Sequence, residues 1–212
     1  MKKIFSHKIL IIGYGAVSQC TLPILLDKID VPFGNVTIID FEDKSQLLKK
    51  YTDKGLNYIH ERITQENLGH VLSKHLDDGG LLIDLAWNIG ANDILSWCHD
   101  HNVLYVNTSV EVWDSLAGVF TDSPFEKSLY WRQMKLREMI KDWKDAPTAV
   151  VDHGANPGLI SHFAKQGLMD IAAKLIADNK ATGQDKEEMQ QYQKDKNFAK
   201  LAQKLGVKVI HC

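Results

Sequence analysis

The residues best suited to chemistry gather at the ends of apolar runs. "ILIIGYGAVSQC" places Gly13 and Gly15 directly after one such run and at the mouth of a helical segment. There the first glycine makes a tight turn, and the second lets backbone N–H groups approach a pyrophosphate at the positive end of the helix. Ser18 holds the third position of the motif, where glycine or alanine is usual, but it is small enough for close packing of helix on strand. Asp40 ends the next run, "NVTIID". A carboxylate at that place accepts hydrogen bonds from the ribose hydroxyls of a dinucleotide and repels a 2′-phosphate, which favours NAD over NADP.

Three further run ends complete the candidate rim. "DLAWNIG" offers Ala86, small enough for close approach of a cofactor, with Trp87 and Asn88 beside it. "NTSVEVWDS" offers Asn107, Thr108, Glu111 and Trp113, and "DHGANPG" sets Asp152, His153 and Asn156 around a stiff corner. Each has a plainer reading. Asp84 can bond within its own strand, Trp87 and Trp113 can pack, and Glu111 can be a surface carboxylate. Asn156 can cap a helix that has Pro157 at its first position. Carboxylates and indoles at one rim suit a cationic ligand, through charge-assisted hydrogen bonds and the ring quadrupole. The three ends carry no Arg or Lys, which argues against an anionic substrate.

Positioning these residues requires a sheet. Strand-like runs fall at 8–13, 35–40, 57–62, 81–86, 103–108 and 148–153, and their Val/Ile/Leu density without strict alternation predicts strands covered on both faces. Helical segments lie between them, at 16–29 (bent at Pro23), 66–76 and 91–101. A further helix is expected to start with Ser123 as N-cap, Pro124 in the first turn and Glu126 closing a capping box. The alternation predicts an α/β protein: a Rossmann-type doubly wound parallel sheet over residues 1–155, followed by helices that start an incomplete second domain at 156–212. In that second part "LISHFAKQGLMDIAAKLIADNK" reads as an amphipathic helix, and the polar stretch after it as a solvated helix face. "GVKVIHC" reads as a strand with no partner after it, so the chain is expected to be the amino-terminal part of a longer protein.

Composition narrows the class. A net charge of -2 over 212 residues gives no electrostatic case for nucleic acid or an anionic membrane surface. Cys20, Cys98 and Cys212 fit neither a disulfide framework nor zinc spacing, which points to a reducing cytoplasm. The start, "MKKIFSHKILIIGYGA", mimics a secretory leader, but His7 and Lys8 interrupt its apolar part, so a buried first strand is expected. No run reaches membrane-spanning length. His99 and His101 flank Asp100 in what reads as a solvated loop, and no metal site is expected.

"GYGAVSQ", "NTSVEVW" and above all "HGANPGLISHF" together resemble the bacterial homospermidine synthases, a family within the wider saccharopine dehydrogenase-like group. The resemblance runs over essentially the whole chain. It implies an enzyme that uses NAD catalytically, oxidising putrescine to an imine, releasing ammonia, joining a second putrescine and reducing the product. By motif, Gly13, Gly15, Ala16, Val17 and Asp40 would hold the cofactor, with Ala86, Asn107 and Thr108 near its nicotinamide half. Asn88, Glu111 and Asn156 would orient the diamine. Members of the family are about twice as long, so a following substrate and oligomerisation domain is implied, with homo-oligomers formed through it. A saccharopine- or carboxynorspermidine-type dehydrogenase and an inactive NAD-binding module remain as alternatives. This division of roles predicts that Asp40→Ala weakens NAD binding far more than Glu111→Ala, and equal losses in titration calorimetry would contradict it.

Overall fold

The computed structural model describes residues 2–113 and 124–211. They form two compact units, Met1–His153 and Gly154–Cys212. The first opens with β1 (Lys3–Ile4), β2 (Ile9–Ile12), α1 (Ala16–Lys28), β3 (Ile29–Asp30) and β4 (Val36–Asp40). It continues with α2 (Ser45–Thr52), β5 (Asn57–His60), α3 (Leu68–His75), β6 (Leu81–Asp84) and α4 (Ala91–Asp100). β7 (Leu104–Asn107), α5 (Leu129–Ile140) and β8 (Ala149–Val150) complete it.

Six strands pair in parallel in the order β5-β4-β2-β6-β7-β8, and β1 with β3 makes a small separate pair. This is the doubly wound order, which reverses direction between β2 and β6 and opens a crevice there at the carboxyl ends of the strands. All four residues of β2 and all five of β4 are buried, because helices cover both faces of the sheet. Alternate strand residues divide between the two faces. Ile9, Ile11, Val36 and Ile38 pack with Leu22 of α1 and Leu48 of α2. Leu10, Ile12, Ile39 and Leu82 pack with Leu72 of α3, Ile94 of α4 and Leu136 of α5.

Register aligns the strand ends that carry the chemistry. Ile12 stands opposite Asp84, Asp84 opposite Asn107, and Asp40 opposite His60. All six expected strands are present, each shorter than its apolar run because pairing stops where the neighbour turns away.

Three local expectations are corrected. Ser123 lies outside the described residues, and Pro124–Lys127 form a single 3-10 turn rather than the start of the α-helix. α5 begins at Leu129, where the Ser128 hydroxyl accepts the otherwise unpaired N–H of Trp131 at 3.2 Å. Asn156 does not cap the following helix. The Gly158 position does, and α6 runs Leu159–Ala177. The N–H groups that an Asn156 cap would have served go instead to main-chain oxygens, Leu159 to Gly154 at 2.8 Å and Ile160 to Ala155 at 2.9 Å, around a cis Asn156–Pro157 peptide.

The second unit also holds α7 (Gly183–Lys194) and α8 (Phe198–Lys204), which close with α6 over Leu168, Ala172, Met189 and Leu201. The expected strand in "GVKVIHC" is not formed over residues 207–211, since this unit contains no described strand for it to pair with.

Gly13 is the backbone position on which the crevice turns. Its φ is +87°, and a Cβ there would lie 2.9 Å from the Leu85 carbonyl oxygen and 3.1 Å from Ala86 Cα. Left-handed backbone and overlap act together, so Gly13→Ala is expected to cost about 2 kcal/mol or more. Chemical denaturation of the two proteins measures that difference directly.

Candidate functional site

The turn after β2 is held from both sides. The Gly13 N–H donates to the Ile39 carbonyl at 2.8 Å, and the Leu85 N–H donates to the Ile12 carbonyl at 2.9 Å. Ser18 is buried beneath the turn and its hydroxyl donates to the Gly13 carbonyl, which explains how serine fits the third motif position without an unpaired polar group. α1 starts with Gly15 at its cap, and no side chain caps it. A Cβ on Gly15 would meet no protein atom within 4 Å. Ala16 and Val17, the first residues of the helix, are exposed, and an uncapped helix start of this kind is an arrangement that an anionic group can fill.

Asp40 borders this space at the end of β4. One carboxylate oxygen accepts the Tyr14 N–H at 2.6 Å and the other the Glu42 N–H at 2.8 Å. These bonds fix the carboxylate against the glycine turn, and a carboxylate has about four acceptor positions, so about two are left beyond these bonds. Beyond it, Phe41 is exposed with the Arg62 guanidinium 4.6 Å from its ring centroid.

On the other side of the crevice, Ala86 follows β6 and its N–H donates to Asp84 at 3.2 Å. Trp87 is 65% exposed, and Asn88 has a left-handed backbone with φ 60°. Thr108 is half-buried. Asn107 is only 1% exposed, with its side-chain amide bonded to Tyr105 and to the Asp152 N–H, so it supports the rim from beneath. Asn156 belongs to the second unit and is exposed.

Glu111 lies beside a cavity of about 190 Å³ at the start of α4, lined also by Asn92, Trp113, Trp131 and Arg132. Its backbone carbonyl accepts the Ala91 N–H at 3.0 Å, and its carboxylate accepts the Ser109 hydroxyl at 2.8 Å. Arg132 donates to the Val110 carbonyl at 3.1 Å and stands 3.9 Å from Glu111. This cation lies outside the three strand ends, which themselves carry no Arg or Lys, and adds a basic group beside Glu111. It comes from α5, one helical turn before buried Leu136, and that i, i+4 spacing was the signal that could have found it. Asn92 was also missed. Its Oδ1 is buried without a hydrogen-bond partner among the described residues.

Trp113 packs rather than projects. Its indole lies against Gly90, where a Cβ would overlap the ring, and its N–H donates to Asp93. Gly90→Ala is therefore expected to cost about 1–3 kcal/mol and to shift tryptophan emission. Unchanged emission and unfolding would show that the loop reaches this packing some other way.

Comparison with known proteins agrees with this geometry. The saccharopine dehydrogenase NADP binding domain family matches residues 9–151. A homospermidine synthase of Mesorhizobium japonicum is 29% identical over 209 residues, covering 96% of this chain and 40% of its own length. That of Blastochloris viridis is 29% identical over 209 residues, covering 96% and 41% respectively. The crystal structure of the Legionella pneumophila homospermidine synthase in complex with NAD superposes with a TM-score of 0.69 at 30% identity, over 98% of this chain and 40% of that one. The chain thus spans about 40% of the length of these relatives, less than the half implied by the sequence. By the extent and position of the family match, the chain belongs to the saccharopine dehydrogenase NADP binding domain family.

Proposed function

We propose that this chain works as the NAD-binding part of a homospermidine synthase. The observation that carries the reading is the uncapped start of α1 at Gly15, open to a ligand and flanked by a carboxylate fixed on the glycine turn. The overall reaction joins two putrescines into homospermidine with release of ammonia and no net redox change. NAD, when bound, supplies the hydride acceptor and returns the hydride.

This chain's residues do the rest. The N–H groups of Ala16 and Val17 receive the pyrophosphate, Asp40 takes the ribose hydroxyls, and the Gly13 turn and Ala86 leave room for the cofactor to lie close to the strands. The family's description names NADP, whereas Asp40 disfavours a 2′-phosphate and the solved relative was crystallised with NAD. NAD is therefore the proposed cofactor.

For the substrate, Asn92 Oδ1 is an acceptor that lacks a donor among the described residues, and Glu111 adds a carboxylate, so an ammonium suits the cavity between them. Asn88 borders the same loop, and the diamine-orienting role proposed for Asn156 rests on the "HGANPG" motif alone. Arg132 favours a second reading, a dehydrogenase of saccharopine or carboxynorspermidine type acting on a carboxylate-bearing substrate. Its charge is already drawn to the Val110 carbonyl and Glu111, which leaves less of it for a ligand. Further diamine contacts and homo-oligomer formation are proposed to come from regions that the relatives have in addition.

Titration calorimetry with NAD tests the cofactor reading, and a blank on folded protein would overturn it. Gly15→Ala is expected to leave stability unchanged and to weaken NAD binding about tenfold, about 1.4 kcal/mol, because the new methyl enters ligand space rather than protein. Asp40→Ala should lower both affinity and stability, since Tyr14 and Glu42 also lose an acceptor. Incubation of the chain extended by the regions that the relatives have in addition, with putrescine and NAD and mass detection of the triamine, separates the two substrate readings. The chain by itself is expected to bind NAD with little or no synthase turnover, and a carboxylated product made with NADPH would favour the second reading.

A further inference from the structure

Beneath the rim runs a line of buried polar side chains, Asp84, Tyr105 and Asn107. Asp84, the last residue of β6, is 4% exposed. Its carboxylate accepts the Tyr105 hydroxyl at 2.9 Å and the Ala86 N–H at 3.2 Å. The Tyr105 oxygen accepts an N–H of the Asn107 side chain at 2.8 Å. The Asn107 Oδ1 accepts the Asp152 N–H at 2.9 Å, and its main-chain oxygen accepts the His153 N–H at 3.0 Å. The Asp152 carboxylate then takes the Val110 N–H at 2.9 Å and the Gln133 side-chain amide.

We propose that the negative charge of Asp84 makes it a positioning residue, which sets the direction of this hydrogen-bond chain and so locks the end of β7 and residues 152–153 into the frame of the nicotinamide side. The proposal rests on the cofactor reading given above. The argument is one of donors and acceptors. Tyr105 has a single hydroxyl hydrogen. An ionised Asp84 can only accept, so that hydrogen points at it, the phenol oxygen receives the Asn107 N–H, and the amide oxygen is left facing the Asp152 N–H.

A proton on Asp84 breaks this order whichever oxygen carries it. On the oxygen facing Tyr105, it meets the phenol hydrogen. Turning that hydrogen towards Asn107 then flips the amide and sets its NH2 against the Asp152 N–H. On the other oxygen, the proton meets the Ala86 N–H. Either way the added hydrogen competes with a hydrogen already bonded at that oxygen.

The groups around Asp84 allow its charge to change alone. It stands opposite Ile12 on β2, and the titratable groups that act on it are Tyr105 of β7, Cys98 of α4 and Glu111 beyond β7. Burial pushes the Asp84 carboxyl up to about 6, opposed by its bonds from Ala86 and Tyr105, with Glu111 adding a small upward push. Burial also raises the Cys98 thiol to about 12 and the Tyr105 phenol well above its ordinary value, so both stay neutral through this range. Asp84 is thus ionised above about pH 6 and neutral below it, and the frame is ordered on the alkaline side.

The test uses the wild-type chain first. Carboxyl-carbon NMR should place the Asp84 inflection near pH 6, and the Asn107 side-chain NH2 and Asp152 amide signals should move with it. In calorimetry NAD affinity should rise several-fold as pH increases through the same point. Asp84→Asn should flatten that profile. Tyr105→Phe, which removes a donor that stabilises the charge, should move the inflection to higher pH. His60→Gln should leave it in place, which separates Asp84 from the histidine that stands opposite Asp40 on β5. An Asp84 inflection near the ordinary value of about 3.9, immobile Asn107 and Asp152 signals, or a profile that survives Asp84→Asn would overturn the proposal. If the variants fail to fold, the wild-type NMR titration decides. Absence of NAD binding at every pH would overturn the cofactor reading instead, while the NMR signals still report whether Asp84 orders the frame.

Discussion

The Leu85 carbonyl occupies the space that a side chain at position 13 would need, and the rest of the candidate site follows from that contact. It lets the end of β2 turn directly against the end of β6, at the place where the strand order reverses. With the turn so tight, α1 begins at once and its first N–H groups emerge at the crevice rather than inside the fold. Gly15 then carries no atoms that would fill the space in front of them. A parallel sheet aligns its strand ends by register, so one close approach in the centre fixes Asp40 on one flank and Asp84 on the other.

Those two buried carboxylates are treated differently by their surroundings. Asp40 receives two backbone N–H groups, one from the glycine turn and one from its own loop, and serves as the turn's acceptor before any ligand arrives. Asp84 receives one backbone N–H and a phenol inside an otherwise apolar layer with a thiol nearby, and burial dominates its ionisation. The first arrangement holds a carboxylate in place beside the glycine turn. The second couples charge to the orientation of Tyr105, Asn107 and the turn at Asp152. Both flanks thereby use a carboxylate to pin a loop, and only one of them leaves acceptor positions facing a ligand.

The cavity beside Glu111 shows how far this chain alone can define a substrate. Among the described residues Asn92 offers an acceptor without a donor, Arg132 offers a cation close to Glu111, and Trp113 is taken up in packing against Gly90. The acceptor is what supports the proposed amine substrate. The relatives have more than half of their length outside the matched region, and that length is where a diamine site would gain its remaining walls.

The sequence by itself determined the sheet and the glycine turn. Buried parallel strands must be apolar on both faces, so β2, β4, β6 and β7 appear as near-continuous Ile, Leu and Val runs, and Gly13, Gly15 and Asp40 are tied to the ends of such runs by local geometry. Local rules failed where a rival partner lay close at hand. Asn156 lost its capping role to the carbonyls of Gly154 and Ala155, and the α5 cap fell to Ser128 after a 3-10 turn. "GVKVIHC" has the composition of a strand but finds no neighbour in its unit, because a strand is specified by its partner as much as by its residues. Only the tertiary structure could bring Arg132 to Glu111, leave Asn92 Oδ1 without a partner among the described residues and string Asp84, Tyr105 and Asn107 into one chain. Those contacts join residues on different elements, and their energies depend on burial and on the direction of hydrogen bonds that no local spacing records.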